Sequence, residues 1–416
     1  MLQNVQADFN ETNVNADGYI KNANKKLDTP TGAGTVGQVL QKASNGTEWA
    51  DAVDADTITA INNLSTMLDS HIGAADSTNY FCIVATRDGQ AISVGNDGQW
   101  GTGTVLEYSI DKTNWFEFDP TTTAKTVLLN TGMKMYLRGN NNLNVIPSGK
   151  HPFQGDWILD GDMKSLWSKT LEPEYAITST NSWFSGSAIL GFGANFAFPS
   201  FDSVTDMSQM FHQCANLTAV PNTFSIPSNV TSCSYTFNGC TSLVSLPSGF
   251  SISSNVTNCQ FMFGNALKGG EIPVPPANAT KLDWYASSGG GTSNPSTLAA
   301  GWKIPDGCKE CTYALNNRGI TTLPDGFQIP ASITDDGRVF QGGGNAVTTF
   351  GNNVSFLKQN ASWNNDYIPF NTVTTIGNNF TLMCDNAPST NPYVCFPNLT
   401  SLGTNCNING TITNPA

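Results

Sequence analysis

The sequence predicts a mainly β, multi-domain chain that ends in a solenoid, and three observations predict it. The first is a repeat of 26 residues in the second half: Val204, Val230 and Val256 recur at that spacing, as do Phe211, Phe237 and Phe263, and then Pro221, Pro247 and Pro273. A period in this range belongs to stacked coils, each burying its apolar side against the next. The second is composition, because 12% charged residues with 39 Gly and 21 Pro suits turn-rich β structure better than helices. The third is length, since 416 residues exceed one ordinary globular domain. Four segments are expected: 1–53, 54–78, 79–150 and 151–416.

Residues 1–28 are polar, with scattered apolar positions (Phe9, Val14, Tyr19, Ile20, Leu27) and no clear period. Such a segment cannot bury a core alone and either stays disordered or orders against a partner. Phe9, Tyr19 and Ile20 are its candidate anchor residues. A Gly-rich run follows from Thr29, then a strand over Gln38–Lys42, an Asn45-Gly46 turn and a second run through Trp49, which together read as a small hairpin. The stretch GTVGQVLQKASNGTEWA, Gly34 to Ala50, resembles an element common near the attachment end of phage tail-fibre and head-fibre proteins. That resemblance implies an arm that docks on capsid or tail proteins.

Residues 54–72 predict a helix, with Asp54, Asp56 and Thr57 offering N-cap chemistry. Ile58, Ile61, Leu68 and Ile72 fall on a 3-4 spacing. This stripe reads either as the seam of a short parallel coiled coil, where Ile favours three or more strands, or as an amphipathic helix packed on its own domain. On the first reading the chain is a homotrimer.

Between Tyr80 and Arg138 six short runs alternate with turns: Phe81–Ala85, Ala91–Val94, Val105–Ile110, Trp115–Phe118, Lys125–Leu129 and Lys134–Leu137. The turns carry Asp88-Gly89, Asn96-Asp97-Gly98 and Asp111-Lys112-Thr113-Asn114, and the pattern predicts a β-sandwich. Tyr108-Ser109-Ile110-Asp111-Lys112-Thr113-Asn114-Trp115 resembles the hairpin of immunoglobulin-like modules in bacterial surface and phage proteins. That likeness implies an Ig-like spacer and says almost nothing about function.

The array beyond residue 151 carries its clearest unit at Asn229–Pro247, with Val230, Phe237, Cys240, Leu243, Leu246 and Pro247 in fixed slots. The preceding unit has Val204, Met207, Met210, Phe211, Cys214 and Leu217. These units resemble the BspA-like class of leucine-rich repeat. Met207, Met210, Phe211, Cys214 and Leu217 are expected on a short helical or 3-10 turn facing the core, with Leu246 and its equivalents on a strand of the stacked sheet. Phrases at Thr322–Ile329, Thr349–Asn353, Thr375–Asn379 and Ser401–Asn405 extend the array. The Gly/Pro-rich stretch between Pro273 and Trp302 breaks the phrase and is expected to loop out. Trp157–Leu166 resembles a capping strand, and Phe192–Pro199 reads as a degenerate early coil.

A net charge of −13 and a pI near 4.5 exclude a basic stripe for nucleic acid and disfavour anionic membrane surfaces. No run approaches the 18 apolar residues of a membrane-spanning helix. The start lacks a basic n-region and an apolar h-region, so the expectation is a protein made in a cytosol and not exported by this sequence. Ten cysteines are present, and Cys214/Cys240 and Cys233/Cys259 each share a repeat slot. They are expected to pack as small buried hydrophobes rather than to form disulfides.

Cys308-Lys309-Glu310-Cys311 is a lone CxxC with no second pair at zinc spacing, and Cys311 lies three periods beyond Cys233. Core packing is therefore expected there. His212 follows a core position and reads as a solvated residue. Asp335-Asp336 and Asp160/Asp162 are acidic pairs that in principle suit calcium or glycoside hydrolysis, but neither has recognisable ligand spacing. No catalytic residue, cofactor or metal is expected. Trp284, Tyr285, Trp302, Trp363 and Tyr367 fall outside the tightest slots. They read either as a sugar-stacking surface or as fillers of irregular coils.

Taken with the resemblances, the expectation is a structural phage virion fibre at the virion surface, capsid slightly preferred over tail because the anchor is short. Its solenoid would meet a host-surface glycan or protein. The alternatives are a bacterial cell-surface adhesin, which needs an export signal, and a tailspike-like depolymerase, which needs paired carboxylates in a groove.

Overall fold

The structure is a computed structural model. It describes residues 38–43, 46–51, 77–95, 100, 103–139, 153–171, 177–287, 295–316, 319–335, 337–340, 346–358 and 361–413. The chain divides into two compact units, Met1–Asp76 and Ser77–Ala416. In the first, β1 (Gln38–Ala43) and β2 (Gly46–Asp51) pair antiparallel, with Ala43 opposite Gly46. Gly46, expected in the turn, therefore opens the second strand. The anchor residues Phe9, Tyr19 and Ile20 and the helical seam Ile58, Ile61, Leu68 and Ile72 lie outside the described residues.

In the second unit, each of the six expected runs forms a strand: β3 (Cys82–Val84), β4 (Gln90–Val94), β5 (Leu106–Ser109), β6 (Phe116–Phe118), β7 (Lys125–Leu129) and β8 (Lys134–Gly139). β4 pairs with β7, and its burial alternates, as a strand with one face on a core must. The Asp111 carboxylate shapes the turn after β5. It accepts from the Thr113 and Asn114 N–H groups at 2.8 Å each, while Lys112 takes a left-handed φ of 61°. Trp115, just beyond, packs edge-on against Tyr80 and lies under the Arg138 guanidinium, 3.8 Å from its ring centre.

The larger sheet does not stop at residue 150. Its order is β10-β9-β3-β8-β5-β6, where β9 (Ile158–Asp160) pairs antiparallel with β3 and parallel with β10 (Gly191–Phe192). The Trp157–Leu166 segment thus joins the spacer sheet to the first coil. Gly161, at φ +77, is needed there because a Cβ would meet the Tyr80 carbonyl oxygen at 1.9 Å. One hydrophobic cluster runs from Phe81 through to Ile408.

The array is a β-solenoid. Isolated parallel bridges link Ser179, Asp206, Ser232, Asn258, Lys281 and Glu310 in succession, one per coil. Later coils form two parallel ladders. One stacks β13 (Thr322–Leu323), β15 (Thr349–Phe350), β17 (Thr375–Ile376) and β19 (Ser401–Leu402). The other stacks β14 (Gln328–Ile329), β16 (Ser355–Phe356), β18 (Thr381–Leu382) and β20 (Cys406–Ile408), and β21 (Thr411–Thr413) closes it antiparallel. Helix is confined, among the described residues, to a 3-10 turn at Met163–Leu166 and α1 (Pro392–Cys395).

Two expectations are corrected. Met207, Met210, Phe211, Cys214 and Leu217 are all fully buried, but they ride a chain of tight turns and no helix. Gln209 and Gln213, at φ 59° and 58°, interrupt any right-handed helix. The stretch between Pro273 and Trp302 also does not leave the stack as a whole. β11 (Glu271–Ile272) pairs with β12 (Thr297–Leu298), Lys281 bridges Asn258 and Glu310, and Trp302 is fully buried.

One column of aromatic rings runs through the core of the early coils. Phe184, Phe211, Phe237 and Phe263 stack at 5.2, 5.5 and 5.7 Å, with ring planes within 10° of parallel. The thiols fill the gaps beside it. Cys214 donates to the Phe184 carbonyl at 2.9 Å and Cys240 to the Phe211 carbonyl at 3.0 Å, each one coil back. All ten cysteines are free and buried.

Candidate functional site

Counting from each bridge residue gives every coil the same sub-slots. The first, fourth and fifth residues after the bridge are apolar or small and point inward: Met207, Met210 and Phe211 after Asp206, and Cys259, Met262 and Phe263 after Asn258. The third residue after the bridge is left-handed in every coil: Ser182, Gln209, Tyr235, Phe261, Trp284 and Tyr313, with φ between 54° and 61°. Its backbone is tied to the next coil. The Tyr235, Phe261 and Trp284 N–H groups donate to the Gln260, Asp283 and Thr312 carbonyls at 2.8–2.9 Å, and Tyr313 donates to the Arg338 carbonyl.

A left-handed φ favours Gly or Asn, because a Cβ crowds the following carbonyl. At a different position of the coil, the one Gly326 occupies, the later coils follow that rule with Asn353, Asn379 and Asn405 at φ 57°, whose side chains form their own hydrogen-bonded ladder at 2.9 and 3.2 Å. The middle coils break it with Tyr, Phe, Trp and Tyr.

These four aromatics are half-buried, lie outside the hydrophobic core cluster and form a surface ladder. Tyr235 and Phe261 stack at 4.6 Å, Phe261 and Trp284 at 5.6 Å, and Trp284 meets Tyr313 edge-on at 4.9 Å. The His212 ring abuts Tyr235 at 5.8 Å, and burial holds its pKa below the usual histidine value despite a hydrogen bond with Asn238. His212 is therefore half-buried at the ladder's end, where the sequence suggested a solvated residue. Because Tyr235, Phe261 and Trp284 lie face to face, the Phe261 ring between them is covered on both faces and offers only its edge.

A polar strip runs beside the rings. Ser208 Oγ lies 2.8 Å from Ser232 Oγ and accepts from Ser234 Oγ at 3.0 Å. Further along, the Thr312 N–H is shared by Asp283 Oδ1 at 2.8 Å and Asp335 Oδ2 at 2.9 Å, and Gln260 Nε2 donates to Asp283 Oδ2 at 2.7 Å. Burial, followed by the charges of Asp335 and Glu310, holds the Asp283 carboxyl above its ordinary value against these hydrogen bonds.

The five aromatics singled out from the sequence part company here. Only Trp284 joins the ladder. Tyr285, Trp302 and Tyr367 are fully buried, so their faces are core faces, and Trp363 is half-buried and stacked on Phe370 at 4.8 Å. Tyr235, Phe261 and Tyr313 were missed. The available signal was Tyr235 and Phe261 falling one period apart, each two residues before a core Phe. Cys308 and Cys311 are buried in the core, their pKa values pushed up by burial, that of Cys308 to about 12. Among the described residues no cluster of His, Cys, Asp and Glu is arranged to hold a metal ion. Asp160 bonds Lys134 Nζ at 2.8 Å and the Asn195 N–H at 3.0 Å, Asp162 caps the 3-10 turn, and Asp336 lies outside the described residues.

Residues 176–270 match the family model described as Mycoplasma protein of unknown function, DUF285, and this span holds the coils from Ile177 through the Phe263 turn. No curated protein and no solved structure matches the chain.

Proposed function

We propose that the chain is a structural fibre of a phage virion, seated on the capsid in preference to the tail, whose solenoid adheres to a glycan or protein of the host envelope. The observation that carries the adhesive role is the ladder. Four large aromatics occupy a strained backbone slot outside the core, where Asn or Gly serves the fold better, and strain of about 1–3 kcal/mol per residue persists where function uses it. The virion assignment rests on the Gly34–Ala50 element and its likeness to fibre attachment segments. On this reading Phe9, Tyr19 and Ile20 dock on the virion, and Ile58, Ile61, Leu68 and Ile72 hold a trimer.

Negative-stain microscopy of virions with antibody to the solenoid tests it. Labelling of capsid or tail supports the proposal. Labelling of bacterial cells alone, with bare virions, assigns the chain to a cell-surface adhesin instead. Purified protein should adsorb to host cells, and a Tyr235→Ser, Phe261→Ser, Trp284→Ser triple variant should lose that adsorption while remaining folded.

A further inference from the structure

One coil omits two side chains that its neighbours supply. The phrase Leu246, Phe250, Ile252 recurs one period later as Ile272, Pro276, Asn278, and one period after that as Leu298, Trp302, Ile304. Thus the aromatic and the β-branched residue give way to Pro276 and Asn278 in a single coil.

The structure registers the omission. Where the phrase is complete, its members are sealed, as at Trp302 and Ile304 and at Leu323, Phe327 and Ile329. Leu246, Phe250 and Ile252, which face the defective coil, are only half-buried. The ring stack breaks at the same place. Phe224 and Phe250 stack at 6.2 Å, Trp302 and Phe327 stack at 5.6 Å, and among the described residues no ring lies on Phe250 from the Pro276 side. The vacancy is a cavity of about 610 Å³, within the range of small-molecule sites.

Leu246, Phe250, Ile252, Pro273, Val274 and Pro276 give it an apolar floor. Its lining also includes Ser245, Ser248, Ser251 and Ser254, whose hydroxyls make no hydrogen bond among the described residues, and Glu271. Tyr285 Oη donates to the Pro273 carbonyl at 3.2 Å, which fixes the floor from beneath.

We infer that this cavity is a subsite for an uncharged pyranose unit of an envelope glycan. A sugar ring has a flat C–H face that lies on an aromatic and an edge of hydroxyls that pair with hydroxyls. The cavity offers both, a Phe250 face lacking its stacking partner and a lining of serines. Its single charge is negative, as is the chain at −13, so acidic sugars are disfavoured. The inference deepens the adhesive role proposed above and rests on it, adding to the contact made by the ladder a separate subsite in the cavity, whose lining contains none of the ladder rings.

The experiment refills the vacancy in the full chain. Pro276→Phe with Asn278→Ile restores the repeat phrase, and Ser251→Trp fills the cavity from its exposed wall without touching a core position. Calorimetric titration uses neutral trisaccharides of glucose, galactose and N-acetylglucosamine, with polygalacturonate as the acidic probe. The wild-type chain should bind at least one neutral trisaccharide, and each filled variant should bind it about tenfold or more weakly at unchanged or higher melting temperature.

Undiminished binding by both filled variants overturns the inference, as does a preference for polygalacturonate. If filling the cavity abolishes adsorption to cells but saccharides never compete and protease treatment of the cells does, a protein occupies the cavity and the inference fails. If adsorption to cells persists in both filled variants, the subsite fails and the adhesive reading stands. If the wild-type chain binds no cell, the adhesive reading fails as well.

Discussion

Phe261 and Phe263 sit two residues apart in one turn, and the structure assigns them opposite fates on mutation. Phe263 is fully buried, stacked on Phe237 at 5.7 Å and met edge-on by Tyr285 at 5.3 Å. Phe263→Ala removes a core ring and leaves a cavity between rigid coils, a cost of about 3–5 kcal/mol. Phe261→Asn removes two ladder contacts, worth about 0.5–1.5 kcal/mol each. It also replaces a bulky left-handed residue by one suited to that backbone, recovering about 1–2 kcal/mol. The net effect therefore lies between about 1 kcal/mol stabilising and about 2 kcal/mol destabilising, well below the cost at its neighbour. Urea unfolding followed by circular dichroism measures both, with a common slope required before midpoints are compared. Equal destabilisation by the two substitutions would show that the ladder is part of the core scaffold, and the argument from strain to function would collapse.

Burial, charge and close backbone approach set three further outcomes. Every cysteine is buried and burial raises the thiol pKa, to about 12 at Cys82, Cys214 and Cys384, so a thiol reagent at pH 8 should label none in the native protein and all ten after denaturation; rapid native labelling overturns the packing. Because the Asp283 carboxyl is held above its unfolded value, the fold favours its protonated form, and that stabilisation is present below the unfolded value of 3.8 and lost as pH rises through the raised one. Asp283→Asn should accordingly raise the melting temperature at pH 7 and leave it unchanged at pH 3; a fall at pH 7 contradicts the assignment. Gly351, Gly377 and Gly403 form a column in which a Cβ on Gly377 would meet the Gly351 carbonyl oxygen at 2.5 Å, so Gly377→Ala should destabilise the later coils by about 1–3 kcal/mol, read by thermal melting.

The core was legible because burial constrains residue type tightly. Val204, Phe211, Cys214 and their equivalents repeat in identity, and each occupies the inward position its period implied. The ladder was hidden because its slot is defined by backbone and not by side chain. Ser182, Gln209, Tyr235, Phe261, Trp284 and Tyr313 share a left-handed φ but no chemistry, and the later members slip from the 26-residue spacing. The turns look helical in the sequence for a related reason. Core positions one, four and five after the bridge mimic helical spacing, and neither Gln209 nor Gln213 advertises the left-handed conformation that breaks it. Trp302 falls outside the slots on the sequence because Trp stands where the phrase elsewhere has Phe; aligned with Leu298 and Ile304 it is a core residue. The six strands before residue 150 were found because alternation and Asp/Gly turns are local signals, whereas β9 and β10 joining the same sheet is a long-range pairing that no local pattern reveals.

The departures from regularity concentrate in the middle of the array. The aromatic ladder spans coils from Ser232 to the Tyr313 turn, and the omitted Phe and Ile fall within that span at Pro276 and Asn278. Beyond Thr322 the coils are regular, with two continuous parallel ladders, an asparagine ladder and closely approaching glycines. In a solenoid each coil is stabilised chiefly by its two neighbours, so strain and voids in the middle are borne locally and are not spread through the stack. The later coils then act as the stiff end against which the irregular ones are held. Native-state hydrogen exchange should reflect this division. The amides of Phe356, Ile376 and Leu382 should exchange only on cooperative opening, while amides around Leu246, Phe250 and Ile252, which lie in no strand ladder, should exchange by cheaper local opening. Uniform protection across both regions would mean that the array unfolds as one unit, and the middle coils would then have no independent freedom to admit a ligand.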